Sequence, residues 1–231
     1  MVENRYTKLI EYIFQRNYKR GTVQVSFHRA ELEEAAKQLG IKLPKNLGDV
    51  IYSFRYRSAL PASITQTAPD GKEWIITGDG KSQYRFELSS QSRVLPNPSL
   101  LSVKIPDATP QIIVMHALGD EQALLARVRY NRLVDTFLSL TTYSLQNHLR
   151  TTVKGVGQIE IDELYVGVNS RGAQFIIPVQ AKGGTDRIGV SQTQQDLAFC
   201  AERYPLLKAR AISAQFMDND VIGLPCTSVD R

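Results

Sequence analysis

Apolar positions in the first part of the chain recur at helical spacing and then give way to alternation. Over residues 4–16, Tyr6, Ile10, Ile13 and Phe14 share one face, which predicts a first helix. A short β-prone segment, residues 22–27, follows Lys19-Arg20-Gly21. Residues 26–40 then read as a helix opened by Ser26, striped by Leu32, Ala35, Ala36 and Leu39, and closed by Gly40. Beyond a turn at residues 43–48, the pattern of residues 49–56 predicts a short helix with Val50, Ile51 and Phe54 inward and Arg55 and Arg57 outward. Residues 73–77 and 82–87 flank Gly78-Asp79-Gly80-Lys81, a strong hairpin signal.

The pattern loosens at residues 89–98, where Ser, Pro and Asn dominate and predict a linker between domains at 1–88 and 99–231. A strand-like piece at residues 101–105 comes next. Gly119-Asp120 reads as a helix start, and residues 122–149 carry Leu124, Leu125, Val128, Leu133, Val134, Phe137, Leu140, Tyr143 and Leu145 at helical spacing, broken near Thr141-Thr142. Arg127, Arg129 and Arg132 leave that stripe. Residues 159–168 and 174–181 predict two strands joined by Asn169-Ser170-Arg171-Gly172. Gly183-Gly184-Thr185-Asp186 predicts a loop, residues 191–204 a helix ended by Pro205, and residues 209–216 an alternating strand. The second half therefore reads α-β-β-α-β, with room for one more strand before Asp162.

The helices and hairpin of the first 88 residues resemble, in order, a winged-helix domain. That resemblance implies a DNA-reading set of Lys45, Asn46, Tyr52, Arg55 and Arg57 on the third helix, with Lys72 and Lys81 on the wing. Charge agrees in direction only. The net charge is +5; residues 1–90 carry 14 basic and 10 acidic side chains, the remainder 14 and 13. No apolar run is long enough for a membrane span, and the first ten residues lack a signal-peptide core, so a cytoplasmic protein is expected. Cys200 and Cys226 have no metal-ligand spacing.

The chemistry concentrates in residues 158–184. Side chains alternate along a strand, so Glu160 and Asp162 share one face of the first strand, and Gln180 and Lys182 share one face of the second. Pairing the two strands brings a carboxylate, an amide oxygen and an ammonium to one edge. Asp162, the Gln180 side-chain oxygen and the Ala181 carbonyl are oxygen donors of the kind Mg²⁺ prefers, with Mn²⁺ as a substitute. Lys182 is suited to orienting water and stabilising developing charge.

Asp162, eighteen positions ahead of Gln180-Ala181-Lys182, resembles the PD-(D/E)XK nuclease superfamily over roughly residues 100–216. Ile161 stands where that pattern has proline, and Gln180 where it has an acid. Glutamine there is similar to the Mrr-type restriction endonucleases. The resemblance implies an α/β (α+β) chain with an αβββαβ core behind a winged-helix-like domain. It implies Mg²⁺-dependent, type II-like cleavage of double-stranded DNA by a homodimer, with Asp162, Gln180 and Lys182 catalytic. Glu160, Glu163, Glu121 or Asp135 would make up the acid missing at 180. Two other readings stay open: a structure-specific nuclease of the Holliday-junction resolvase kind, and a DNA-binding regulator with an inactive nuclease core. Gln146, Asn147, His148, Arg150 and Arg127 are further candidate DNA contacts. Gln192, Gln194 and Gln195 open the following helix near the expected site, and Gly183, Gly184 and Thr185 offer backbone amides to phosphate or a plain turn.

Overall fold

The computed structural model describes residues 5–97, 99–117, 121–183, 188–217 and 221–228. The chain forms two compact units, residues 1–92 with 154–157, and residues 93–153 with 158–231. Both mix helix and strand, and among the described residues no helix is long and apolar enough to cross a membrane.

The first unit runs α1 (Arg5–Asn17), β1 (Gln24–His28), α2 (Glu31–Leu39), α3 (Gly48–Tyr52), a π-helical turn (Ser53–Arg57), α4 (Ala62–Thr65), β2 (Glu73–Gly78) and β3 (Gln83–Ser89). Its three strands are ordered β1-β3-β2, all antiparallel. Leu9, Ile10, Ile13 and Phe14 of α1 pack with Leu32, Val50, Ile51, Trp74 and Phe86 into one core. Ser26 does not open a helix. Val25 and Phe27 are both buried, and that alternation puts Ser26 in β1 opposite Arg85, so α2 starts at Glu31. Gly40 ends α2 in the left-handed conformation (φ 63°), its N–H meeting the carbonyls of Ala36 and Lys37.

The second unit contains β4 (Arg93–Val94), α5 (Gln111–His116), α6 (Glu121–Tyr130), α7 (Leu133–Leu138), β5 (Thr141–Val153), β6 (Gly157–Val168), β7 (Gln174–Lys182), β8 (Ile188–Gly189), α8 (Val190–Arg203), β9 (Lys208–Phe216), β10 (Ile222–Gly223) and β11 (Cys226–Ser228). The main sheet is ordered β10-β9-β7-β6-β5, with β6 antiparallel and β9 parallel to β7. As the central strand, β7 is buried from Phe175 to Lys182's neighbour Ala181, which is why it reads as a continuous apolar run. Val179 and Ala181 pack with Leu124, Leu125 and Val128 of α6. The other side of β7 meets α8, through Gln180.

Two expected elements differ. Residues 101–105 are exposed and form no strand. The long helix stops at Leu138, where Ser139 takes a left-handed φ of 54°, and residues 141–153 form β5. The apolar residues of 133–145 fall at helical spacing across the boundary, but Thr141, Thr142, Thr151, Thr152 and Val153 favour a strand. As the edge of the sheet, β5 leaves most of its residues in solvent, so no clean alternation marks it. The Gly119-Asp120 helix start and the loop residues 184–186 lie outside the described residues.

Glu163 was expected among the acids supporting the metal. Instead it is fully buried, accepting from Arg129 Nε at 2.8 Å and from Ser144 Oγ at 2.7 Å. Burial, then the neighbouring Glu163 charge, pushes the Tyr165 hydroxyl pKa up. Asp135 is likewise committed elsewhere, to Arg132 and to the Thr142 N–H at 2.6 Å. Replacing Arg129 with alanine strands the Glu163 charge. Because Arg129 is itself 40% exposed, the expected loss, about 2–3 kcal/mol in urea unfolding, is below that of a fully buried pair. An additional Glu163→Gln change should recover most of it.

Candidate active site

The middle of β6 and the C-terminal end of the antiparallel β7 are tied together by the acid itself. Asp162 Oδ2 accepts the Ala181 N–H at 2.8 Å, so the two strand-borne groups sit side by side. Lys182 Nζ bonds Glu121 Oε1 at 2.9 Å, which links the end of β7 to the first turn of α6. Lys182 is the less exposed partner, 23% against 44% for Glu121. Burial raises the Asp162 pKa most; the Ala181 N–H and the Lys182 charge oppose this, while Glu121 and Glu160 push it further up. Of these two acids, Glu121 is paired with Lys182 and Glu160 with Arg150.

Gln180 is 2% exposed and fully engaged. One amide nitrogen donates to the Glu160 carbonyl at 2.8 Å and to Asp196 Oδ2 at 3.0 Å, while its oxygen accepts from Gln192 Nε2 at 2.8 Å. A main-chain carbonyl only accepts, so the nitrogen must be the atom facing Glu160. The amide oxygen is thereby turned toward Gln192 at the start of α8. Of the three glutamines expected near the site, Gln192 touches Gln180, Gln195 is buried and Gln194 is exposed. Glu160 is exposed and pairs with Arg150 at 3.1 Å. Among the described residues no group of three or more His, Cys, Asp and Glu side chains is placed to hold a metal. What the contacts bring together is Asp162 with the Ala181 N–H, and Lys182 with Glu121.

Asp196 escaped the sequence reading. It is 1% exposed, and its Oδ1 has no hydrogen-bond partner among the described residues. The signal was available: Gln192, Asp196 and Cys200 recur every four residues, which puts a charged side chain on the inward stripe of α8. Ser191, Thr193 and Gln195 of α8, and Ser213 and Gln215 of β9, are likewise buried polar residues.

The remaining candidates are dispersed. His148 takes a positive φ of 48° in β5 and meets Gln122 at 3.2 Å, and Arg127 lies over the Phe216 ring. Gln146, Asn147 and His148 are exposed on the β5 edge, not at a helix end. In the first unit Lys45, Lys72 and Lys81 are exposed, but Asn46 is occupied in starting α3: its oxygen takes the Gly48 N–H and its nitrogen bonds Asp49. Arg55 is not outward. The π-helical turn lays it over the Tyr56 ring at 5.0 Å and near Tyr84 at 6.0 Å, with Nε and Nη2 buried and without hydrogen-bond partners among the described residues. Arg57 is exposed and stacks over Tyr52 at 5.0 Å.

Asp196 sets a pH dependence. Burial holds its carboxyl pKa well above the usual range, Gln180 opposes this, and the Asp162 charge adds to it. A raised acid costs the folded state nothing while folded and unfolded chains both hold the proton, and progressively more as pH climbs past the unfolded pKa. Melting of Asp196→Asn against the wild type should therefore show a difference that grows in the variant's favour as pH rises from about 4 to 7. A difference independent of pH would contradict this.

No family model, curated protein or solved structure matches the chain.

Proposed function

We propose that the chain is a Mg²⁺-dependent endonuclease of the type II restriction kind, acting on double-stranded DNA in the cytoplasm. The observation that carries this is the meeting of Asp162, Ala181, Lys182 and Glu121 where β7 ends. The order α6/α7-β5-β6-β7-α8-β9, with β9 parallel to β7, supports a PD-(D/E)XK-like core. The order α1-β1-α2-α3-β2-β3, with β3 between its two partners, supports a winged-helix-like reader in the first unit.

Asp162, the Gln180 amide oxygen and the Ala181 carbonyl would hold the metal, with Glu121 as the additional carboxylate. All are hard oxygen donors, and the mutual repulsion of the acids around Asp162 fits a cation there. When bound, Mg²⁺ supplies Lewis acidity at the phosphate and lowers the pKa of bound water. Lys182, held by Glu121, is positioned to orient the attacking water and to offset negative charge as it develops. The part-buried Asp162–Ala181 contact keeps the acid from drifting. One such site cuts one strand, so cleavage of a duplex calls for two copies of the chain. Exposed Lys45, Lys81 and Arg57 supply phosphate contacts whose strength falls with salt.

Lys182→Ala and Asp162→Ala are expected to lower Mg²⁺-dependent plasmid cleavage by about 10²-fold or more while retaining DNA binding in a gel-shift measurement. Cleavage by both variants at the wild-type rate would refute the assignment. Preference for a four-way junction over linear duplex would move it to a resolvase, and tight DNA binding without any Mg²⁺ or Mn²⁺ binding would move it to a regulator.

A further inference from the structure

Residues 101–105 carry the pattern of a strand without a strand to pair with. Leu101, Val103 and Ile105 alternate with Ser102 and Lys104, so an extended chain puts the three apolar side chains on one face. Yet Leu101 is 97% exposed and Val103 77%, and among the described residues the main chain of 101–105 bonds to no other main chain. The exposure continues through α5, where Ile112, Val114 and Met115 face solvent. The segment is nonetheless held in place. Asn131, just past α6, donates to Asp107 Oδ1 at 2.9 Å and to Thr109 Oγ1 at 3.1 Å, and accepts the Ala108 N–H at 2.6 Å. Residues 99–117 are therefore an anchored apolar arm, and holding it in water costs free energy that no contact among the described residues offsets.

A matching edge lies on the same unit. β5 ends the main sheet and, among the described residues, pairs with β6 alone. Thr142 is already engaged, its N–H by Asp135 and its carbonyl by Arg132, so the open stretch begins at Tyr143. Residues 143–147 contain neither charge nor proline, the features that usually keep an edge strand from pairing. Ser144 turns to the buried Glu163, so Tyr143 and Leu145 lie on the opposite face, 62% and 50% exposed. A strand added here would set its alternate apolar side chains beside these two.

We propose that residues 101–105 of one copy of this chain add to the β5 edge of a second copy at residues 143–147, reciprocally, about a two-fold axis. Both halves of the contact are on one unit, as an isologous interface requires. Arm and edge, residues 99–117 and 143–147, supply 24 residues a copy, within the about 20–30 a side of a standard stable interface. The arm holds one Lys, one Asp and one His, too little positive charge for a polyanion or an acidic membrane surface to be its partner. The surface gives the two copies that duplex cleavage calls for a place to meet, but it rests on no feature of the β7 site.

The test is the oligomeric state of the full-length protein, by sedimentation equilibrium without DNA or metal. The wild type and Lys182→Ala should both have the mass of two chains. Val103→Pro opposes strand pairing, Leu101→Asp with Val103→Asp removes the apolar face, and Leu145→Lys charges the receiving edge. All three positions are exposed, so each variant should keep the wild-type far-UV circular dichroism while its dimer dissociates about 10²-fold or more readily. Leu206→Asp, 93% exposed in the turn before β9 and outside this surface, should stay dimeric. Mixing Val103→Pro with Leu145→Lys should restore part of the dimer, because one intact arm then meets one intact edge. A monomeric wild type, or a dimer indifferent to the arm variants, would overturn the proposal. Loss of the dimer in the arm variants alone, with Leu145→Lys still dimeric, would place arm against arm and overturn the strand exchange. A dimeric wild type that cuts no DNA would leave the surface standing and remove the nuclease reading.

Discussion

The arrangement depends on one buried amide. Gln180 connects β7 to the backbone of β6 through the Glu160 carbonyl, and to α8 through Asp196 and Gln192. Breaking that hub would leave several buried polar groups unsatisfied at once, each worth about 1–3 kcal/mol. The same contacts fix where β6 presents Asp162 and where β7 presents Ala181 and Lys182. Chemistry and packing are thus joined at position 180. Gln180 meets polar side chains of α8, whereas Val179 and Ala181 pack against apolar residues of α6.

How far the chain could be read in advance followed from burial. Central strands announce themselves, because both faces are covered: the 174–182 run was legible, as were the helix and strand that follow. The edge strand β5 was hidden. Its outward residues carry no alternation, and its apolar positions continued the helical spacing of α6 and α7. Glu163 looked equivalent to Glu160 and Asp162 in sequence, yet a one-residue step along a strand changes the face, and only the register against Val179 sends it inward to Arg129. Asp196 was missed because it comes fourteen residues after Lys182 in a helix judged by its glutamines, and because tertiary contact alone brings it to Gln180.

The first unit teaches a related lesson. Its helices, hairpin and core residues follow from spacing, but the direction of Arg55 does not. A π-helical turn rotates that part of the chain, laying the guanidinium against Tyr56 and Tyr84 and leaving Arg57, over Tyr52, as the outward cation. Asn46, similarly, is consumed by the start of α3. Of the basic residues in the expected reading set, Lys45, Arg57, Lys72 and Lys81 are exposed, while Arg55 is not.

The central claim is that Asp162, the Ala181 carbonyl and the Gln180 side-chain oxygen form one divalent-cation site. Crystals soaked in Mn²⁺ and measured for anomalous scattering test it most directly. The account predicts a peak within metal-ligand distance, about 2.0–2.6 Å, of an Asp162 carboxylate oxygen and of Gln180 Oε1, with Gln192 displaced from that oxygen. A well-occupied peak elsewhere in the molecule, with Gln192 still bonded to Gln180, would contradict it.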